Sequence, residues 1–133
     1  GSAFECNGDF TEELGYEAAN VIVKQKPRAT AIFAANDAMA IGALSALTDL
    51  GVDVPGSMSV AGFDDIPIAR YVAPPLTTIR VDIAELGRRA FALLHGAMTA
   101  QGKHNHGQEC IGTTLIVRKS TASRRVRKKG EGP

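Results

Sequence analysis

Two short apolar runs, residues 29–35 (ATAIFAA) and 59–63 (SVAGF), each end on a polar pair, Asn36 with Asp37 and Asp64 with Asp65. Runs this short and nearly unbroken, without the alternation of a half-solvated strand, suit parallel strands covered on both faces. A helical pattern follows the first run: Met39, Ala43, Leu44, Leu47 and Leu50 share one side, and Gly51 closes it. After the second run a short helix is expected from about Ile66 to Tyr71. Pro74 and Pro75 stop it, because neither can donate a backbone hydrogen bond. Strand, polar turn, helix, strand is a pattern that restricts the chain to an α/β layer structure with a mostly parallel sheet flanked by helices.

The other elements fit that scheme. Residues 8–26 read as a helix, with Asp9 and Glu12 as a capping pair and Leu14, Ala18, Val21 and Ile22 at helical spacing. LTTIRV (76–81) reads as a strand. Asp82 and Glu85 form a second capping signature, opening a helix over 83–99 whose apolar face holds Ile83, Leu86, Ala90, Leu93, Leu94 and Ala97. The loop QGKHNHGQ separates it from a last strand, CIGTTLIV. Residues 118–133 are polar, basic and end in Gly and Pro, so they are expected to be disordered. Gly1 and Ser2 have the look of a cloning remnant; the division expected is 1–3 remnant, 4–117 folded body, 118–133 tail.

At 133 residues with 44% hydrophobic and 22% charged content, the chain suits one soluble domain of moderate size. No run approaches the roughly 18 to 20 apolar residues of a membrane span, and no secretory pattern opens the chain. A cytoplasmic location is expected, with no membrane partner. The net charge of +1 conceals an asymmetry, because residues 118–129 hold seven of the fifteen basic groups. That cluster invites a nucleic-acid reading, but it lacks aromatic interleaving and a helix-turn-helix pattern, so a solvated terminus is the reading preferred. Cys6 and Cys110 show no zinc or redox spacing and are expected as free thiols. His104 and His106 sit in a Gly- and Asn-flanked loop and read as solvated, while His95 reads as a surface or contact residue on the long helix. No metal or cofactor is expected.

Ligands of open parallel sheets bind beyond the carboxyl ends of the strands. Three turns put polar or aromatic groups there: Asp9 with Phe10, Asn36 with Asp37, and Asp64 with Asp65. A carboxylate and an amide can pair with adjacent hydroxyls while a phenyl face covers a ring, which suits a sugar, polyol or nucleoside. Asp9 and Asp37 are assigned structural roles. Asn36 can cap a helix, touch a ligand, or do both; Phe10 can serve as a helix staple or as a ligand-facing ring; Asp65 can cap the short helix. Asp64, at the rim of a buried strand, is assigned to the ligand. A magnesium or acid–base role for the two adjacent acids is weaker, because neighbours on an extended segment point to opposite sides. Nor is there a nucleophile with an attached base or a Gly-rich phosphate loop.

The stretches GDFTEELGYEAA, AIFAANDAMAIGAL, VPGSMSVAGFDDIPIARYVAPPLTTIRVDIAELGRRA and LIVRKST together resemble, from about Phe4 to Thr121, the C-terminal third of lactose/galactose-repressor family regulators. The resemblance implies a partial type I periplasmic-binding-protein-like fold that senses a small-molecule effector and is not an enzyme. It places Phe10 as the aromatic on the effector, Asn36 as the amide of the AND motif and Asp64 as the first acid of the GFDD motif. It further implies a homodimer, with Ile41, Ser45 and Tyr71 as interface candidates, a hinge-like crossing at 76–82, and a helix at 83–99 packed on an N-terminal lobe. Against the family pattern the DNA-binding headpiece, the N-terminal lobe and the first strand and helix of the C-terminal lobe are not in this chain. Operator DNA would be bound only through that headpiece. Taken alone, the chain is expected as an intertwined or swapped dimer, or a proteolytic remnant. The rival readings are a solute receptor for sugar uptake, an enzyme using Asp64 and Asp65, and a module that only oligomerises.

Overall fold

The computed structural model describes residues 4–99 and 108–123. Along the chain they form α1 (Glu12–Ile22), β1 (Ala31–Phe33), α2 (Asp37–Asp49), β2 (Ser59–Asp64), a 3-10 turn (Pro67–Arg70), β3 (Thr77–Arg80), α3 (Ile83–Thr99) and β4 (Thr114–Ile116). The four strands make one sheet in the order β1-β2-β3-β4, with the first three parallel and β4 antiparallel to β3. The mostly parallel α/β arrangement expected from the apolar runs is therefore present. Residues 1–3, His104, His106 and the basic residues from 124 onward lie outside the described residues.

The core is organised around α2. Asn36 takes an extended conformation and its side chain accepts a hydrogen bond from the Met39 amide, which starts the helix. Met39, Ala40, Ala43, Leu44, Ala46 and Leu47 are all buried, more than one stripe's worth, because α2 lies between α1 and the sheet. Ile32, Val60 and Leu76 from the strand segments and Met58 and Ala69 from the connections complete the core. Leu50, read as part of the buried face, is exposed. Small residues let α1 and α2 approach closely: a Cβ on Gly42 would strike the Glu12 carbonyl and the Tyr16 nitrogen, and one on Gly15 would strike the Met39 backbone.

Several local expectations need correction. Thr11, not Asp9, is the N-cap of α1; its hydroxyl accepts from Leu14 N at 3.3 Å, while Asp9 accepts from both the amide and the hydroxyl of Thr11. Asp65 does not cap the 3-10 turn, which has no side-chain cap. Asp82 does accept a hydrogen bond from Glu85 N at 2.9 Å, as its capping signature implied. No described residue of α3 is buried, and Ile83, Leu86, Phe91, Leu93, Leu94 and Met98 are exposed.

The folded body also does not stop at residue 117. Ser120 is fully buried: its hydroxyl donates to the Val60 carbonyl at 2.6 Å and accepts from Thr77 N at 2.8 Å, while its own carbonyl accepts from Val60 N. Pairing of β2 with β3 begins only at Ala61 and Thr77, so the segment after β4 satisfies the polar groups just before that point. A composition-based reading sees a polar, basic segment and assigns it to solvent. Its hydroxyls are instead the partners that buried strand ends require.

In the full-length protein, Gly42→Ala is expected to lower the unfolding free energy by about 1–3 kcal/mol, the usual cost of overpacking a tight contact. Gly96→Ala, on the side of α3 away from its apolar face and where an added Cβ meets nothing within 4 Å, serves as the comparison and is expected to raise stability by up to about 1 kcal/mol. Denaturant midpoints measured at unchanged slope check this, and equal midpoints for the two variants would show that α1 and α2 are free to separate.

Candidate ligand-binding site

Parallel β1, β2 and β3 bring their carboxyl ends to one edge, where Asn36, Asp64 and Arg80 emerge. Asn36 does two jobs there: its oxygen caps α2, and its amide donates to the Phe10 carbonyl at 2.9 Å. Phe10 is thereby fastened to the start of α2 while remaining 65% exposed. Phe10, Asp64 and Asp65 have φ of 70°, 115° and 58°, and they are the non-glycine residues with positive φ among those described. Each such conformation costs on the order of 1–3 kcal/mol and persists only where its surroundings impose it. All of this strain lies in the turns assigned to ligand binding.

Asp37 and Asp65 supply much of the restraint. Asp37 is fully buried; one oxygen accepts from the Thr78 hydroxyl at 2.5 Å and the other from Ile66 N at 2.9 Å. It thus joins the start of α2 to β3 and to the segment that leaves β2; a structural role is expected for it from sequence, but not these partners. The Asp65 side chain is 2% exposed, with Arg118 Nη2 on one oxygen at 2.5 Å and Arg80 Nη2 on the other at 2.7 Å. Burial alone would push the Asp65 carboxyl up, but the hydrogen bonds from Arg118 and Arg80 outweigh it and hold the group below the usual carboxylate range. Asp64 shifts the other way, raised first by burial and then by the negative charge of Asp37. Among the described residues its carboxyl has no hydrogen-bonding or ionic partner. One acid is locked into the fold, and its neighbour is left for something else.

The three residues assigned to the ligand share an edge but not one cavity. Asp64 lines a hollow of about 630 Å³ with Ile66, Pro67, Arg80 and Ile83. Phe10 lines another, of about 580 Å³, with Ala18, Ile22, Ile32 and Phe33. Asn36 lines neither of these hollows. With both Asp65 oxygens held by arginines, the pair is not arranged to share a cation, and no group of three or more His, Cys, Asp or Glu among the described residues could hold a metal. Cys6 and Cys110 are free and exposed. His95 stacks on Phe91 along α3, with ring centroids 6.0 Å apart. Of the interface candidates, Ile41 is half-buried, Ser45 exposed and Tyr71 75% exposed. No helix of the described residues is long and apolar enough to cross a membrane.

Arg80 and Arg118 were missed by the sequence reading. A buried acid needs a cation, and Arg80, opposite Asp64 in register, was the nearest signal. Arg118 gave no local signal, because its partner is 53 residues away in the chain.

The acid limb of stability carries the signature of this site. The lowered pKa of Asp65 contributes stability that is complete above the unfolded value, about 4, and is lost as pH falls through the folded one. Asp65→Asn is therefore expected to be less stable than wild type at pH 7 and to lose less stability between about pH 4 and 2. Urea denaturation across that range checks the sign; parallel acid limbs would show that the arginine contacts do not outweigh burial.

The family pattern described as the periplasmic binding protein-like domain matches residues 2–121. Among curated relatives, the HTH-type transcriptional repressor PurR of Haemophilus influenzae is 44% identical over 118 residues, covering 87% of this chain. The chain spans 35% of that relative's length. Among solved structures, a LacI family transcriptional regulator from Enterococcus faecium with bound ribose is 31% identical, with a TM-score of 0.74 over 85% of this chain and 41% of the other. The lac repressor dimer bound to operator and the anti-inducer ONPF is 32% identical, with a TM-score of 0.77 over 87% of this chain and 40% of the other. The sheet order and the pattern over residues 2–121 agree: the chain belongs to the periplasmic binding protein-like domain family, and within it is similar to the PurR and LacI-type regulators.

Proposed function

We propose that this chain is the effector-sensing and dimerisation portion of a bacterial DNA-binding transcription regulator, and that its ligand is a sugar, polyol or nucleoside-like molecule. The observation that carries this reading is Asp64: a carboxyl without a partner among the described residues, held at the carboxyl edge of a parallel sheet in a strained backbone conformation, on the same rim as Phe10 and Asn36. A carboxyl with free lone pairs can accept from two adjacent hydroxyls, and an exposed phenyl ring can cover an apolar ring face. Likeness to a LacI family regulator with bound ribose, to the lac repressor bound to operator and to the repressor PurR supports the same reading.

The two hollows are open, so the ligand would be enclosed only with residues from the rest of a longer protein. The uncovered apolar face of α3 would lie against that part, and residues 76–82 would serve as the crossing to it. Operator DNA would be bound through a separate headpiece. The working form is a cytoplasmic homodimer with Ile41, Ser45 and Tyr71 at its interface, and the chain has no enzymatic role. For the chain alone, the free edge of β1 and the bare face of α3 favour an intertwined or swapped dimer. A module that only oligomerises is the second reading, favoured by the separation of Phe10 and Asp64 into different hollows.

Titration calorimetry of the full-length protein against ribose, sucrose, cellobiose and adenosine tests the assignment. Asp64→Ala is expected to weaken saturable binding at least tenfold, about 1.4 kcal/mol. Unchanged affinity would remove Asp64 from the site, and a folded dimer that binds no small molecule would favour the oligomerisation reading. In parallel, Tyr71→Arg is expected to shift the full-length protein from dimer towards monomer by light scattering, since a charge buried in an interface without a partner is costly. A dimer unaffected by the arginine would place the interface elsewhere.

A further inference from the structure

Asp64 reaches the rim through two consecutive left-handed residues, at φ 115° and 58°, with no glycine to ease either. Left to itself such a turn relaxes to negative φ, which would redirect the Asp64 side chain. Three contacts pin the segment that follows. Ile66 N donates to Asp37 at 2.9 Å, Arg118 Nη2 reaches one oxygen of Asp65, and Arg80 Nη2 reaches the other. Arg118 is the stronger of the two cations. Its side chain is 14% exposed against 53% for Arg80, so solvent screens it less. It is also anchored at the start of β3, where Nη1 donates to the Leu76 carbonyl at 2.7 Å and its amide donates to the Thr77 hydroxyl at 2.9 Å.

We propose that Asp65, clamped by Arg118 and Arg80, is a positioning residue that holds Asp64 in its ligand-facing conformation. Arg118, from the segment after β4, thereby acts on ligand affinity without reaching the ligand. This rests on the reading of Asp64 as a ligand contact, and it adds two residues that act through Asp64 rather than on the ligand.

Glycine separates positioning from simple reinforcement of the fold, because it adopts positive φ without a Cβ penalty. Asp65→Gly discards the ion pairs but keeps the turn accessible, whereas Asp65→Ala discards both. In the full-length protein, Asp65→Ala is expected to weaken binding of whichever of ribose, sucrose, cellobiose or adenosine the wild type binds by at least tenfold. Asp65→Gly should recover to within about threefold of wild type. Arg118→Gln should weaken binding in the wild-type background and add nothing in the Asp65→Gly background. Should the alanine variant fail to fold, Asp65→Ser, which keeps one acceptor oxygen but has no preference for positive φ, takes its place in the comparison.

Alanine and glycine variants of equal affinity, whether both weak or both like wild type, would overturn the positioning role. Affinity unchanged by Asp64→Ala would instead overturn the ligand reading, and this proposal with it. If none of the four probes binds, the titration of the Asp64 carboxyl by carbon-13 NMR decides. It should lie above the usual carboxylate range in wild type and in Asp65→Gly and move in Asp65→Ala, and the same midpoint in all three would refute the clamp.

Discussion

The buried carboxyl of Asp37 is the point on which the rest of this structure depends. A carboxyl group removed from water is costly unless its oxygens are matched, and here both accept hydrogen bonds, from Thr78 and from Ile66. Those partners belong to a central strand and to the segment leaving its neighbour, while Asp37 itself is the first residue of α2, where the helix dipole favours an acid. One side chain therefore sets where the helix starts, how it lies on the sheet and where β2 lets go of it. The approach is close enough that a Cβ at Gly62 would collide with the Asp37 carboxyl.

The site follows from that junction. β2 ends within reach of Asp37, and the chain must turn there in a conformation that non-glycine residues adopt only under constraint. Asp65 meets two arginines and becomes part of the scaffold, while Asp64 meets burial and the charge of Asp37 and has no partner among the described residues. Adjacent residues of the same type thus acquire opposite electrostatic characters. Chemistry at such an edge comes from the group that the fold leaves unsatisfied, and the group the fold satisfies keeps it in place.

α3 presents a different balance. Its capping by Asp82 and its helical periodicity make it a helix, but Ile83, Leu86, Phe91, Leu93, Leu94 and Met98 stay exposed. Local sequence suffices to form the element, and burial of its face awaits a partner surface. The free edge of β1, beside the hollow that Phe10 lines, has the same unfinished character. Both fit a chain that spans about a third of its curated relatives.

Elements whose signal is local were legible in the residues. The apolar runs marked β1 and β2, the capping pair at Asp82 and Glu85 marked α3, and Asn36 marked the start of α2, because pattern, propensity and capping act over a few residues. The rim position of Asp64 followed from the same logic, as did the structural role of Asp37. The capping residue of α1 went to Thr11 because Asp9 turned to bond Thr11 itself, a competition between two adjacent acceptors that spacing does not rank. What only the tertiary structure decided are the pairings across long stretches of chain: Arg118 with Asp65, Ser120 with Val60 and Thr77, and Gly42 against Glu12. A polar residue near the end of a chain carries no mark of whether a buried acceptor waits for it. That depends on which strand ends the folded backbone leaves unpaired, and those exist only once the sheet has formed.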